Sequence, residues 1–397
     1  MSKHSALSNR NFLIYLAGST VSLHGLWIYR VALGWFAWQL TGSEFWVGIV
    51  AFTQFAPALL FGPLFGVLAD RFERRKASII INSLSFMSML LLGSLIFLDQ
   101  VNIVVLTTLS LVQGALDSAH TPVRMALVPN LVNKDQLQSA IATTSISFNV
   151  SRFVGPAIAG LIIANFNVGV AFVVNGFSYL AIIAAIIFVK LRPRENRSEK
   201  PGDVWSELLE GFRYVMCHRT IRGLLVVVAV ASIFGRGALE MMPAFVDAVL
   251  QRGSSGLAIL TSAIGAGSIA TGLVLSRGTA WLDTSVIRIA VIAAGVLVVA
   301  FGATEIFWLS ILIVTGIGVM LSLCGVGSQI LIQSLVDEEV RGRVSSFWGM
   351  IAFGGTAVGS LVIGSASAAF GLQGTIVVTG MLCAAASALF GRARQAA

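Results

Sequence analysis

The chain has 397 residues, 56% hydrophobic and only 11% charged, with a mean hydropathy of +0.89. A soluble domain carries about 25% charged residues, so this composition excludes a water-covered globule and makes lipid the solvent. The net charge of +8 is not a nucleic-acid patch, because the basic residues concentrate in alternate loops, which is a topology signal.

The apolar runs are continuous and about 20 residues long, the length of a membrane helix, and lack the short alternating pattern of a β-barrel. Twelve spans are expected, at roughly 11–40, 46–69, 77–98, 102–124, 137–164, 168–190, 221–250, 256–277, 285–303, 306–332, 343–369 and 372–390. The short, mildly basic start (Met1–Asn11) has no small-residue cleavage site and reads as leading into an uncleaved first helix. The 40 glycines suit close helix packing in a bilayer. Cys217, Cys324 and Cys383 have no ligand or disulfide spacing and read as buried thiols.

Charged residues inside spans are costly and usually face a cavity or each other. In the first span, Arg30 has no acidic neighbour. It calls for a partner on another helix or an anionic substrate, unless it snorkels to the interface. Trp27, Trp35, Trp38 and Trp46 read as an interfacial belt, with Trp27 also able to line a cavity. On the fourth span, Asp117, His120 and Arg124 share a face; Asp117 is the proton candidate and His120 a packed residue. On the fifth, Arg152 precedes Gly155-Pro156, and Gly160 follows. This is a simple kink, or a pivot beside the cavity. Asn149, on the same span, is expected to line that cavity with Arg152, Trp27, Arg30 and Arg236.

The stretch Lys190–Arg222 is the only long polar segment. It reads as an exposed linker ending in an amphipathic surface helix over Val204–Tyr214, or as a plain loop. On the seventh span, Arg236, Glu240, Pro243 and Asp247 share a face. Arg236 and Glu240 are spaced to pair at i,i+4, or else face a cavity, with Glu240 as a protonatable carboxylate. Basic residues mark the loops after spans 2, 4, 6, 8 and 10 and both termini, which places both termini in the cytoplasm.

The chain divides into 1–190, a linker over 191–220, and 221–397, with signs of duplication. A shift of 204 lays Leu131-Val132 on Leu335-Val336, Gly155 on Gly359 and Gly160 on Gly364; a shift of 206 lays Gly66 on Gly272 and Arg71 on Arg277. Transporters built from two repeats carry their substrate site between them near the midplane.

The turn Gly66-Val67-Leu68-Ala69-Asp70-Arg71-Phe72-Glu73-Arg74-Arg75-Lys76 resembles the cytoplasmic loop signature of the major facilitator superfamily. Pro122-Val123-Arg124, Val128-Pro129-Asn130-Leu131-Val132, Phe148 to Gly160 and Asp337 to Val344 extend the resemblance over the chain, toward the transmembrane secretion effector and enterobactin-exporter-like group. The resemblance implies an all-α membrane protein with twelve transmembrane helices in two six-helix halves. It also implies a cytoplasmic latch at Gly66, Asp70, Arg71 and Arg74, and a helix pivot at Gly155, Pro156 and Gly160. The sequence departs from the pattern at Glu73, where the superfamily has Gly, and at Ser110, where many proton antiporters have Arg ahead of Gln113-Gly114.

The Gly-rich stretches lack a Walker Lys-Ser/Thr, and there is no His-Glu-x-x-His and no nucleophile elbow. Neither an ATP-driven pump nor an enzyme is expected, and neither cofactor nor metal. The expected activity is proton-coupled export of a small anionic or zwitterionic molecule from a bacterial inner membrane, by a monomer embedded in the lipid bilayer. The excess of Arg30, Arg152 and Arg236 over Asp117 and Glu240 points to the substrate's charge. The alternatives are an importer of the same fold and a gradient-independent, scramblase-like protein.

Overall fold

A computed structural model describes residues 5–191, 204–337 and 340–392; the side chains of residues 63, 66–71, 134, 204–208 and 390–392 lie outside the described residues. Thirteen long helices make up the described chain: α1 (Arg10–Thr41), α2 (Glu44–Arg71), α3 (Arg74–Phe97), α4 (Ile103–Leu127), α5 (Leu137–Asn165), α6 (Val168–Phe188), α7 (Val204–Cys217), α8 (Arg219–Ala248), α9 (Gly253–Ser276), α10 (Thr284–Ala303), α11 (Phe307–Leu335), α12 (Arg341–Phe370) and α13 (Leu372–Arg392). All except α7 are long and apolar enough to cross a membrane.

Local chemistry sets the helix ends. Asn9, Asn102 and Asn167 cap α1, α4 and α6 by accepting from backbone N–H groups, and Asp283 does the same for α10. Gly42 stops α1 in the left-handed region (φ +56°), with its N–H on the Trp38 carbonyl at 2.7 Å. α8 is not the single regular helix expected over 221–250. It is α-helical to Val230, a π-helix over Ala231–Arg236, one α-turn over Gly237–Leu239, and helical again over Met242–Ala248. Pro243 has no N–H to donate to the Leu239 carbonyl, so the ladder breaks there.

The two groups of six spans pack in the same order. Within the first, α1 packs on α5 and α6, α3 on α4 and α6, and α2 on α4; within the second, α8 packs on α12 and α13, α10 on α11 and α13, and α9 on α11. Across the groups, α2 packs on α12, α5 on α9 and α1 on α8.

These cross-group seams are tightest at the end away from the loop between α2 and α3, called here the far end. A Cβ on Gly364 of α12 would stand 2.7 Å from the Glu44 carbonyl oxygen and 2.9 Å from the Gly48 Cα of α2. Gly160 of α5 meets Ala258 of α9, and a Cβ on Gly265 would stand 2.7 Å from the Phe153 Cα. Trp38 of α1 donates its indole N–H to the Asp247 carboxylate of α8 at 2.8 Å, across the groups.

Toward the opposite end the helices part. Gly272 lies one heptad beyond Gly265 on the same face of α9, and a Cβ there would have no described neighbour within 4 Å. Ile146, one heptad before Phe153 on α5, is 63% exposed. Gly62, on the same stripe of α2 as Gly48, also faces open space. The cleft between the groups therefore opens at the end that carries the α2–α3 loop.

Cys324 and Cys383 are buried, but Cys217 is exposed because it ends α7 at the surface. α7 is tied to the second group. Glu210 pairs with Arg343 of α12 at 2.6 Å, and the Tyr214 hydroxyl donates to Asp337 at 3.1 Å. Leu209 and Phe212 remain exposed, and the side chains of Trp205 and Leu208 lie outside the described residues.

Gly364→Val would force α2 and α12 apart at the far end, an overpacking cost of about 1–3 kcal/mol. The population should move toward the arrangement open at the far end. Spin labels at positions 146 and 272, on a cysteine-free background, should then show a shorter distance than in the parent protein.

Candidate functional site

The charged residues singled out in the spans gather around the seam where α1, α5 and α8 meet. Gly155 lets α5 lie directly on α1, since a Cβ there would stand 2.5 Å from the Trp27 Cβ and 3.2 Å from the His24 carbonyl oxygen. That contact sets Arg152 of α5 over the Trp27 ring, with its guanidinium carbon 5.4 Å from the ring centroid. Arg30 lies over the same indole at 4.9 Å and over Phe55 of α2 at 5.4 Å. Phe148 meets Trp27 edge-on at 5.9 Å and carries Arg124 on its ring at 5.9 Å. Two guanidinium groups thus share one indole, and aromatic faces contribute to holding these cations.

Arg236 ends the π-helical stretch of α8 and reaches toward α11, where a Cβ on Gly325 would stand 2.8 Å from a guanidinium nitrogen. The i,i+4 pair with Glu240 does not form. The two side chains make no ion pair within 4.0 Å and no hydrogen bond with any described residue. The turn between them is α-helical, with the Glu240 N–H on the Arg236 carbonyl at 3.3 Å, but the Arg236 side chain extends toward Gly325 of α11 instead of along its own helix.

Charge neighbourhoods join these residues across the seam. Arg30 acts on Glu240 ahead of Arg236 and Arg152. Arg152 is acted on by Arg236, Arg30 and Glu240. Three arginines therefore share one field with one carboxylate, two of them from the first group of spans and one from the second.

The other residues singled out in the sequence are distributed differently. Asp117 accepts from Gln113 Nε2 at 3.0 Å, inside the first group, and has Arg30 and then Arg124 as its nearest influential cations. Asn149 is partly exposed and bonds back to the Ser145 carbonyl at 2.9 Å. His120 packs against Asn82, with 3.2 Å between Nε2 and Nδ2. Ser110 donates to the Val50 carbonyl at 3.1 Å, tying α4 to α2. Pro156 is buried within α5, and Gly160 serves the far-end seam. Arg74 donates to the Ala126 carbonyl of α4 at 3.1 Å, within the first group. Gly66, Asp70 and Arg71 belong to the end of α2, and their side chains lie outside the described residues.

The belt reading is corrected for Trp27 and Trp35. Trp27 and Trp35 are buried at 9% and 6% exposure, and Trp38 is spent on the cross-group bond to Asp247. They face protein because α1 packs on α5, α6 and α8. Sequence reasoning missed Phe55 and Phe148 as ring partners. The signal for Phe55 was its place one heptad after Gly48, on the packing stripe of α2. Among the described residues no three His, Cys, Asp or Glu side chains gather as a metal site.

Twelve spans, two groups of six packed in the same order and a central charged cleft define a polytopic membrane transporter of the major facilitator fold. The family model for the transmembrane secretion effector matches residues 1–396, and the chain belongs to that family of the major facilitator superfamily. It is 25% identical to the staphyloferrin A transporter of Staphylococcus aureus over 92% of both chains. It is 26% identical to the multidrug efflux pump Tap of Mycolicibacterium fortuitum over 92% of this chain and 91% of the other. Among solved structures, the nucleoside transporter NupG superposes with a TM-score of 0.76 at 12% identity, covering 96% of this chain and 98% of that one. A bacterial homolog of the human lysosomal transporter Spinster, inward-facing and occupied, superposes with a TM-score of 0.75 at 15% identity, covering 97% and 95%. The chain is a multi-pass membrane transporter and not an enzyme.

Gly155→Ala should drive α1 and α5 apart and lower the thermal unfolding midpoint, with a cost of about 1–3 kcal/mol. Gly62→Ala, at a position with open space, should leave the midpoint within about 0.5 kcal/mol of the parent. Thermal melts of the purified proteins in detergent check both.

Proposed function

We propose that this protein exports a small anionic or zwitterionic organic molecule across the bacterial inner membrane in exchange for protons, with both termini in the cytoplasm. The observation that carries the reading is that Arg30, Arg152 and Arg236 gather around Glu240, with Asp117 as a second carboxylate near Arg30, and that among the described residues none of the three arginines makes an ion pair. Aromatic faces hold the guanidiniums of Arg30 and Arg152 without neutralising them. A desolvated cation without a counter-ion is costly in a membrane interior, and an anionic substrate group supplies the missing charge. The relatives named for staphyloferrin A transport and multidrug efflux support a small organic substrate, a siderophore or a drug-like metabolite, and the direction of export.

In this reading, 1–190 and 221–397 are the two halves, joined by the linker at 191–220, and they rock about the seam. The cleft that opens beside the α2–α3 loop is the cytoplasmic loading state. Substrate enters there and bridges Arg30 and Arg152 of one half to Arg236 of the other. The bridging relieves repulsion among the three cations and lets the open end close. Glu240, without a side-chain partner among the described residues, exchanges the proton, with Asp117 as the second carboxylate. The latch at Gly66, Asp70, Arg71 and Arg74 engages when the cytoplasmic end closes. In the present arrangement Arg74 caps α4 instead. One chain carries both halves, so a monomer suffices.

The test is proton movement driven by siderophores, antibiotics and lysophospholipids in proteoliposomes. One class of anionic compound should drive proton flux. Alanine at Arg30, Arg152 or Arg236 should each cut transport roughly tenfold or more, the size expected when one partner of a desolvated charge pair is lost. Glu240→Gln should abolish the proton flux. Transport that survives collapse of the proton gradient would point to the scramblase-like alternative, and intact transport in all three arginine variants would defeat the charge argument.

A further inference from the structure

The first six spans enclose a polar seam between α3, α4 and α6. On α3, Ser78, Asn82, Ser85 and Ser88 recur at helical spacing, and all four are buried. α4 turns Ser110, Gln113, Asp117 and His120 inward at the matching spacing. The two stripes are joined. Asn82 reaches His120, and Gln113 Nε2 lies within hydrogen-bonding distance of Asp117 (3.0 Å), Tyr179 of α6 (2.9 Å) and Ser85 (3.4 Å). Asn82 also donates to the Ser78 carbonyl at 2.7 Å, one turn from the start of α3. α10, which occupies the place of α3 in the second group, buries Ile287, Ala290, Val291, Ala294 and Val298 instead. The second group buries hydroxyls elsewhere, as at Ser268 and Ser322, but the fold does not require a polar stripe on the helix in this place.

The seam also holds buried polar atoms without partners: Tyr29 Oη, Gln54 Nε2, Gln113 Oε1, Asn175 Nδ2 and Ser88 Oγ. The Tyr29 hydroxyl lies beside Gln54 and Ser110, and Tyr179 lies beside Asn175 and Ser85. Tyr29, Gln113 and Asn175 are wholly buried. The orphans comprise donors, an acceptor and hydroxyls that can act as either. Water satisfies such a mixture, whereas a bare cation leaves the amide donors unpaired.

We propose that this seam holds ordered water and conducts protons between Asp117 and the end of the molecule bearing the α2–α3 loop, past His120, Asn82 and Ser78. With Asn82 Nδ2 donating, His120 Nε2 accepts and the ring proton sits on Nδ1. Each water and hydroxyl takes one proton and passes one on, so no co-reactant is needed. The groups facing Asp117 are Arg30 and Tyr29 from α1, Gln113, His120 and Arg124 from α4, and Tyr179 from α6. The inference rests on the proton-coupled reading, but its route is separate from the central cleft.

The experiment is infrared hydrogen–deuterium exchange on the full chain in lipid bilayers, with D2O as the probe and no transported compound present. The Asp117 carboxyl band is assigned by its loss in Asp117→Asn. Asn82→Leu should dry the seam and slow exchange of that band roughly tenfold, as when one hydrogen-bonded link is lost. Ser85→Ala should slow it less, and Asn82→Ser should restore the parent rate. An unchanged rate in Asn82→Leu, in protein of parental thermal stability, would overturn the conduit and assign proton access to the cleft. Absence of any Asp117 carboxyl band across the accessible pH range would overturn it as well. Neither result depends on Glu240 or on a substrate, so failure here is distinct from failure of the flux assay.

Discussion

Backbone-to-backbone contact at the far end is the constraint on which the rest of the structure depends. Lipid offers helices no hydrophobic reason to associate, so packing and small residues must hold them together. Gly48 against Gly364, Gly160 against Ala258 and Gly265 against Phe153 bring α2 to α12 and α5 to α9 at distances that a side chain would forbid. The same stripes continue to Gly62 and Gly272, where nothing described lies opposite. A seam of glycines is a surface that can touch or part along its whole length, and here one end touches while the other is parted.

Where the seam closes, it carries the site with it. Gly155 presses α5 onto α1, and that contact stacks Arg152 and Arg30 on Trp27. Packing and charge are therefore one arrangement: the small residues that permit close approach also concentrate positive charge at the seam. The second group answers with Arg236 and Glu240 on an irregular stretch of helix, so charges from both groups meet across the joint between them.

Much of this was legible in the chain. The spans, their alternation of charge and their termini follow from composition and from caps such as Asn9, Gly42 and Asp283, which act within a few residues. Arg30, Arg152, Arg236, Asp117 and Glu240 stood out because charge inside an apolar run is rare. The ring partners Phe55 and Phe148 did not, because an aromatic residue in a membrane helix is ordinary until another helix brings a guanidinium to it. The missing Arg236–Glu240 pair was hidden for a related reason. The i,i+4 turn is intact, but Arg236 extends toward Gly325 of α11, and which neighbouring helix draws a side chain away is not written in the helix that bears it. Trp27 and Trp35 read as interfacial because hydropathy cannot tell a lipid-facing ring from one buried against a neighbouring helix.

The π-helical turn of α8 has a genetic consequence. A stretch with i→i+5 bonding accommodates one more residue than the α-helix it interrupts. Each residue of a regular α-helix turns it by about 100°, so a one-codon deletion elsewhere in a span re-aims everything beyond it, whereas deletion of one residue within Ala231–Gly235 would remove the extra residue, straighten α8 and leave its two parts in register. Insertions and deletions are ordinarily tolerated in loops and ruinous in spans. Here a single-codon length change inside a transmembrane helix has a defined structural outcome, one that removes the wide turn and keeps Arg236 and Glu240 on their present face.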